Sequence, residues 1–293
     1  MCGIVGLFLK DKTLEPELGR LTAGMLGVLS DRGPDSAGFA VYGAETPGLV
    51  KLTLRGPDDA DFAAIAAQLG AACVLRGDHA LLTLPAERET TARTKLAALS
   101  PLTQVVGSGS RMELYKSVGR PEDVALRLGL AGMAGTHAIG HTRMATESAV
   151  TTEGAHPFST GRDQCLVHNG SLSNHNAWRR TLRREGQRFE TENDTEVAAG
   201  YLSWRLARGE RLDAALDAAL GDLDGFFTFV VGTGNGFGVL RDPVACKPAV
   251  LAETDRYVAF GSEYRALVDL PGIEDAVVFE PKPAQVYFWE RAH

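Results

Sequence analysis

The apolar positions of this 293-residue chain follow two periods in turn. Residues 4–9 form a nearly continuous apolar run and predict a strand. Leu18, Leu21, Met25 and Leu29 then recur at helical spacing and predict a helix over residues 17–29. Arg32-Gly33-Pro34-Asp35 ends it, because proline lacks an amide donor and biases the preceding residue away from the helical region. Residues 39–42 predict the next strand.

From residue 49 the pattern changes. Val50, Leu52 and Leu54 alternate with Lys51, Thr53 and Arg55, predicting a half-buried strand, and Phe62, Ile65, Ala66 and Leu69 mark one face of a helix. Strands over 73–76 and 79–84 follow, joined through the hairpin signal Gly77-Asp78, then a helix over 87–99. One or two strands, at 104–106 and 111–115, complete the series. The order strand, helix, strand, strand, helix, strand is that of a ferredoxin-like unit. Residues 49–115 are therefore expected to form a subdomain inserted into a larger domain spanning 1–293.

After Gly135 the chain reads as strand-rich, with a loop over 146–158, a strand at 165–168, helices near 195–208 and 212–220, and an almost unbroken apolar strand at 226–231, as expected for a sheet buried on both faces. Further strands run to Trp289. Gly232-Thr233-Gly234-Asn235-Gly236 reads as a turn between strands; without a following helix it is a poor dinucleotide signal.

Composition narrows the function classes. A hydrophobic content of 44% suits a globular core, and a net charge of −7 without a basic run argues against a nucleic-acid groove or an anionic membrane surface as the partner. Arg179, Arg180, Arg183 and Arg184 are expected on the solvated face of a short helix. No apolar stretch reaches the roughly 18 residues that span a bilayer, and no leader pattern opens the chain, so a soluble, cytoplasmic protein is expected. Four cysteines without CxxC spacing read as reduced thiols, with Cys73, Cys165 and Cys246 expected in or near the core.

Cys2 carries the most specific chemistry. Removal of Met1 would leave a residue holding both a thiol nucleophile and a free α-amine, whose reference pKa of about 7.7–8.0 suits a base near neutral pH. The competing reading is a small hydrophobe at the start of a buried strand. Four further clusters follow in order: residues 32–38 (RGPDSAG), 140–146 (GHTRMAT), 167–172 (VHNGSL) and 193–196 (NDTE).

With Cys2-Gly3-Ile4, these clusters resemble the class II glutamine amidotransferases, members of the N-terminal nucleophile hydrolases. The resemblance spans residues 1–42 and 135–270 and leaves the insert outside it. It implies an α+β fold: a four-layer αββα sandwich of two mainly antiparallel sheets, here interrupted by the ferredoxin-like βαββαβ subdomain.

Attack by Cys2 on a glutamine side-chain amide would generate an oxyanion needing two donors at about 3 Å. The resemblance assigns these to the side-chain amide of Asn169 and the backbone N–H of Gly170, although an Asn-Gly pair is also a common turn. Free glutamine further requires a cation for its α-carboxylate and an anion for its α-ammonium. Arg143 and Asp194 take these parts by resemblance, with Thr146 adding a polar contact; Asp194 is also a candidate helix N-cap and Arg143 a candidate surface ion pair.

Arg32 is expected in a supporting place near the nucleophile, and Arg241-Asp242-Pro243, Lys247-Pro248 and Ser262-Glu263 as scaffold. His137, His141, His156, His168 and His175 cluster in sequence, but no cysteine or carboxylate spacing completes a zinc set, so no metal is expected. Met144 and Glu147 depart from the residues frequent in relatives.

The implied reaction is glutamine hydrolysis to glutamate and ammonia through a thioester on Cys2. The chain ends at His293 without room for an ammonia-using domain, so the resemblance is greatest to separate glutaminase subunits of glutamate synthase-like enzymes, including N-methylglutamate synthase. No cofactor is expected in this chain; FMN and iron-sulfur centres would belong to partner subunits. Two other readings are a stand-alone amidohydrolase acting on another γ-glutamyl compound and a catalytically silent subunit whose insert senses a ligand.

Overall fold

The computed structural model describes residues 2–145 and 150–291, so Thr146 and Glu147 lie outside the described residues. In chain order the elements are β1 (Gly3–Leu9), α1 (Leu18–Val28), β2 (Ser36–Tyr42), β3 (Leu49–Arg55), α2 (Phe62–Leu69), β4 (Ala72–Arg76), β5 (His79–Pro85), α3 (Glu89–Leu99), β6 (Gln104–Gly109), β7 (Met112–Val118), α4 (Pro121–Arg127) and β8 (His137–Arg143). They continue with β9 (Phe158–Gly161), β10 (Gln164–Leu172), α5 (His175–Arg184), α6 (Asp194–Leu206), α7 (Leu212–Asp222), β11 (Gly225–Gly232), β12 (Gly236–Arg241), β13 (Val250–Glu253), β14 (Tyr257–Gly261), β15 (Val277–Phe279) and β16 (Gln285–Glu290).

Two antiparallel sheets stack face to face. The larger has the order β15-β13-β14-β1-β8-β2-β7 and the smaller β16-β12-β11-β10-β9. Between them Ile4, Phe8, Ala40 and Ile139 of the first meet Val167, Val230, Phe237 and Val239 of the second. The outer face of the large sheet receives Leu18, Leu21 and Met25 of α1 and Val124 of α4, the helical spacing read from the sequence. On the other side α6 and α7 cover the small sheet through Val197, Ala198, Tyr201, Leu202 and Leu216. This is the four-layer αββα sandwich. Strands β1, β2 and β8 are buried along their whole length because both their faces are covered, although only β1 is apolar throughout.

Residues 49–109 make a third sheet of order β4-β5-β3-β6, the strand order of a split βαβ unit, with α2 and α3 packed on one face through Phe62, Ile65, Ala92 and Leu96. Its other face lies over the edge strand β7: Leu114 donates its backbone N–H to Thr53 Oγ1 at 3.2 Å, and Lys51 pairs with Glu113 at 3.2 Å. The strand expected at 111–115 is β7, and it pairs with β2 in the large sheet instead of joining the third. The cause lies far away in sequence. The Asp163 carboxylate, in the β9–β10 turn, accepts from the backbone N–H of Ser110, Arg111 and Met112 at 2.7–2.9 Å and turns the chain from one sheet into the other.

Candidate active site

Cys2 immediately precedes β1, which lies between β14 and β8 in the large sheet. Pairing of Gly3 with Thr142 sets it beside the end of β8, and Ser262 clamps the chain two residues on: Ile4 N donates to Ser262 Oγ, and Ser262 N to Ile4 O, both at 2.9 Å. Two side chains hold the Cys2 carbonyl. Arg32 Nε donates to it at 3.1 Å and Asn169 Nδ2 at 3.3 Å. Arg32 is ion-paired in turn with Glu263, whose carboxyl is held below its usual range chiefly by that hydrogen bond. Ser262 and Glu263, expected as scaffold, thus hold the start of β1 at Ile4 and, through Arg32, the carbonyl of Cys2.

Asn169 and Gly170 are not a turn. Both lie within β10, paired with Thr228 and Phe227 of β11. Gly170 has φ of 147°, and a Cβ there would come within 1.9 Å of the Phe226 carbonyl oxygen, so only glycine lets β10 and β11 approach this closely.

Arg143 closes β8. Its backbone is held by the 32–38 cluster: Asp35 N donates to Arg143 O at 3.1 Å, and the Asp35 carboxylate accepts from Ala145 N at 2.8 Å. Gly33 permits this, since a Cβ on it would sit 2.5 Å from Arg143 N.

Asp194 opens α6 without capping it. Asn193 is the cap, accepting from Thr195 N at 2.8 Å, while the Asp194 carboxylate accepts from Leu172 N at 2.9 Å, across to the end of β10. The preceding loop is pinned from two sides. Glu196 accepts from Glu190 N, Thr191 N and Thr191 Oγ1, each at 2.8 Å, and Arg179 donates to Thr191 O and Asn193 O. Arg179 was expected on a solvated helix face; it is buried because its guanidinium serves these carbonyls, whereas Arg180, Arg183 and Arg184 are exposed. An arginine run in sequence does not reveal which member turns inward.

Three of the clustered histidines form a wall beneath these residues. The Thr195 hydroxyl lies 2.8 Å from His156 Nε2 and 2.9 Å from His168 Nδ1. With a single proton, it can donate to at most one ring, so at least one of the two rings donates to it. His141 stacks on His156 with centroids 4.1 Å apart and donates from Nε2 to His168 O at 3.1 Å. Burial pushes all three below the ordinary histidine range, and His141 down to about 3, so the wall is neutral at physiological pH. Among the described residues no group of three His, Cys, Asp or Glu side chains is arranged to hold a metal.

Cys2, Arg143, Asn169, Gly170 and Asp194, distant in sequence, line a common cavity of about 820 Å³. Lys247 also lines it, in the loop after β12 that sequence reading treated as scaffold. Its neighbour Cys246, expected near the core, is exposed in that loop, while Cys165 is buried and Cys73 partly so. No helix among the described residues is long and apolar enough to cross a membrane.

A family described as a glutamine amidotransferase domain matches residues 141–269, a span holding Arg143, Asn169, Gly170 and Asp194 but not Cys2. Over 296 residues the chain is 60% identical to the glutamine amidotransferase-like protein GlxB of Rhizobium meliloti, covering 99% of this chain and 98% of that one. The chain belongs to the class II glutamine amidotransferases. It is also 35% identical over 129 residues to a glutamine–fructose-6-phosphate aminotransferase (isomerizing) of Thermococcus kodakarensis, covering 43% of this chain and 21% of that enzyme. Among solved structures it resembles the glutamine phosphoribosylpyrophosphate amidotransferase of B. subtilis complexed with ADP and GMP, with a TM-score of 0.64 and 19% identity, over 99% of this chain and 47% of that one. That last likeness is one of fold: this amidotransferase spans about half the length of the solved structure.

Proposed function

We propose that this amidotransferase hydrolyses glutamine to glutamate and ammonia through a γ-glutamyl thioester on Cys2, once Met1 has been removed. The observation that carries the reading is the placement of Cys2, whose carbonyl is held by Asn169 and Arg32 while the residue shares its cavity with Gly170, Arg143 and Asp194.

In this reading the free α-amine takes the thiol proton as sulfur attacks the amide carbon. The oxyanion receives hydrogen bonds from the side chain of Asn169 and the backbone of Gly170. The amine then returns the proton to the leaving nitrogen, ammonia departs and the thioester remains. Water adds to the thioester, its proton passes to the amine, and collapse releases glutamate and restores the thiol. Arg143 offers a bidentate fork to the substrate α-carboxylate, and Asp194 accepts from its α-ammonium. Thr146 is assigned a polar contact in the same loop. The ammonia passes to a separate synthase subunit of the glutamate synthase-like or N-methylglutamate synthase-like class, in which FMN and iron-sulfur centres would reside.

Intact-mass analysis with an ammonia assay tests this. The expected result is a chain lacking Met1 that releases ammonia from glutamine and gains one adduct from a glutamine-like electrophile, with both properties lost in Cys2→Ala. An active preparation that retains Met1 would overturn the mechanism. Recovery of a synthase on co-purification supports the partner, and a fully active chain with none recovered counts against it.

A further inference from the structure

The insert touches the rim of the cavity. Arg55, the last residue of β3, ion-pairs through Nη1 with the carboxylate of Glu153, and its Nε lies 3.9 Å from Asp78 in the β4–β5 turn. Glu153 belongs to the segment between β8 and β9 in which Thr151, Glu153, Gly154 and His156 line the cavity.

That segment packs on the catalytic scaffold. Lys116 Nζ of β7 donates to Glu153 O at 3.1 Å and to Ala155 O at 2.8 Å, and His156 O lies so close to β2 that a Cβ on Gly38 would come within 2.2 Å of it. Gly154 N donates to Thr151 Oγ1 at 3.2 Å, and a Cβ on Gly154 would stand 3.5 Å from Arg143 Nη1. The guanidinium assigned to the glutamine carboxylate therefore has the segment Arg55 holds as part of its wall.

We infer that Arg55 is a positioning residue through which the inserted subdomain sets the affinity of the site for the α-carboxylate of glutamine. The inference rests on the glutaminase reading. The physical path runs from Arg55 to the Glu153 carboxylate and along the backbone to Gly154, which lines the same cavity as Arg143 and lies close enough that a Cβ on it would stand 3.5 Å from Arg143 Nη1. Lys116 is bonded only to the Glu153 and Ala155 carbonyls, so removing Arg55 would leave those two tethers in place and loosen the Glu153 side chain and the turn from Thr151 to Gly154. A change in the insert that moved the end of β3 would be felt at the same place.

The experiment compares wild type with Arg55→Gln, Glu153→Gln and the exchanged pair Arg55→Glu/Glu153→Arg in the full chain, measuring ammonia release against glutamine concentration and amide hydrogen exchange over residues 151–155. The pair is partly exposed, with side-chain exposures of 25% and 39%, so a moderate effect is expected. Each single variant should raise KM by about threefold to fivefold with kcat nearly unchanged, and exchange over 151–155 should quicken. The exchanged pair should recover most of the KM. An unchanged KM, a fall in kcat alone, or unchanged exchange would overturn the inference. If exchange quickens as expected but wild type releases no ammonia from glutamine, the coupling of insert to rim stands and the glutaminase reading falls.

Discussion

Asn169 donates its side-chain amide to the carbonyl oxygen of Cys2 at 3.3 Å, so the proposed oxyanion donor is oriented by the residue that carries the nucleophile. A donor already aligned needs little reorganisation as charge develops on the substrate oxygen. Asn169→Ala is expected to lower kcat by about 100- to 1000-fold with a much smaller change in KM. Steady-state ammonia release checks this, and a variant whose loss lies mainly in KM would assign Asn169 to substrate binding.

Arg179 acts on a different parameter. Its guanidinium satisfies the carbonyls of Thr191 and Asn193 at the mouth of the cavity, and Asp194 follows directly. Arg179→Ala removes the donor of two carbonyls and is expected to cost about 1–3 kcal/mol of stability while raising KM for glutamine. Arg179→Lys should recover only part of this, since an ammonium lacks the planar fork that serves both carbonyls. Chemical denaturation and KM measured on the same preparations decide it.

Gly170 sits where β10 and β11 are too close for a side chain and has φ of 147°. Gly170→Ala is expected to destabilise the chain by at least about 2 kcal/mol through strain and separation of the strands. Calorimetry should show a Tm lowered by roughly 4 °C or more. A Tm within a degree of wild type would mean that the strands separate there without cost.

What was legible in the sequence is what short segments encode. The α1 stripe of Leu18, Leu21 and Met25, the alternation of β3 and the order of the motif clusters each express a local period or a fixed spacing. Cys2, Asn169, Gly170, Arg143 and Asp194 could be named because their flanking residues are distinctive, and the fold brings them to one cavity. The supports were not legible. Glu196 stands three residues after the Asn193 cap, a spacing that suggests a capping box, yet it reaches back to Glu190 and Thr191. Asp163 binds residues 110–112, and Arg55 finds Glu153, across separations that no local pattern encodes. Such contacts exist only once the sheets have stacked.

Acid should unfold the protein through its buried histidines. Burial is the main cause that pushes both His137 and His141 down to about 3, and the hydrogen bonds from His137 Nε2 to Thr233 O and from His141 Nε2 to His168 O oppose it only partly. In the unfolded chain each imidazole titrates near about 6.5. Between these values the unfolded state binds more protons than the folded one, so stability is full above about pH 6.5 and falls as pH drops toward 3. Each histidine contributes a slope of about 1.4 kcal/mol per pH unit within that window. His137 opens β8 at the end opposite Arg143, so the proposed site does not depend on it. His137→Gln keeps a donor for Thr233 O and removes the titration. Urea unfolding at pH 7 and pH 5 should show the variant losing less stability on acidification than wild type, by roughly the slope of one proton. Equal losses in the two proteins would mean that His137 gains its proton without unfolding.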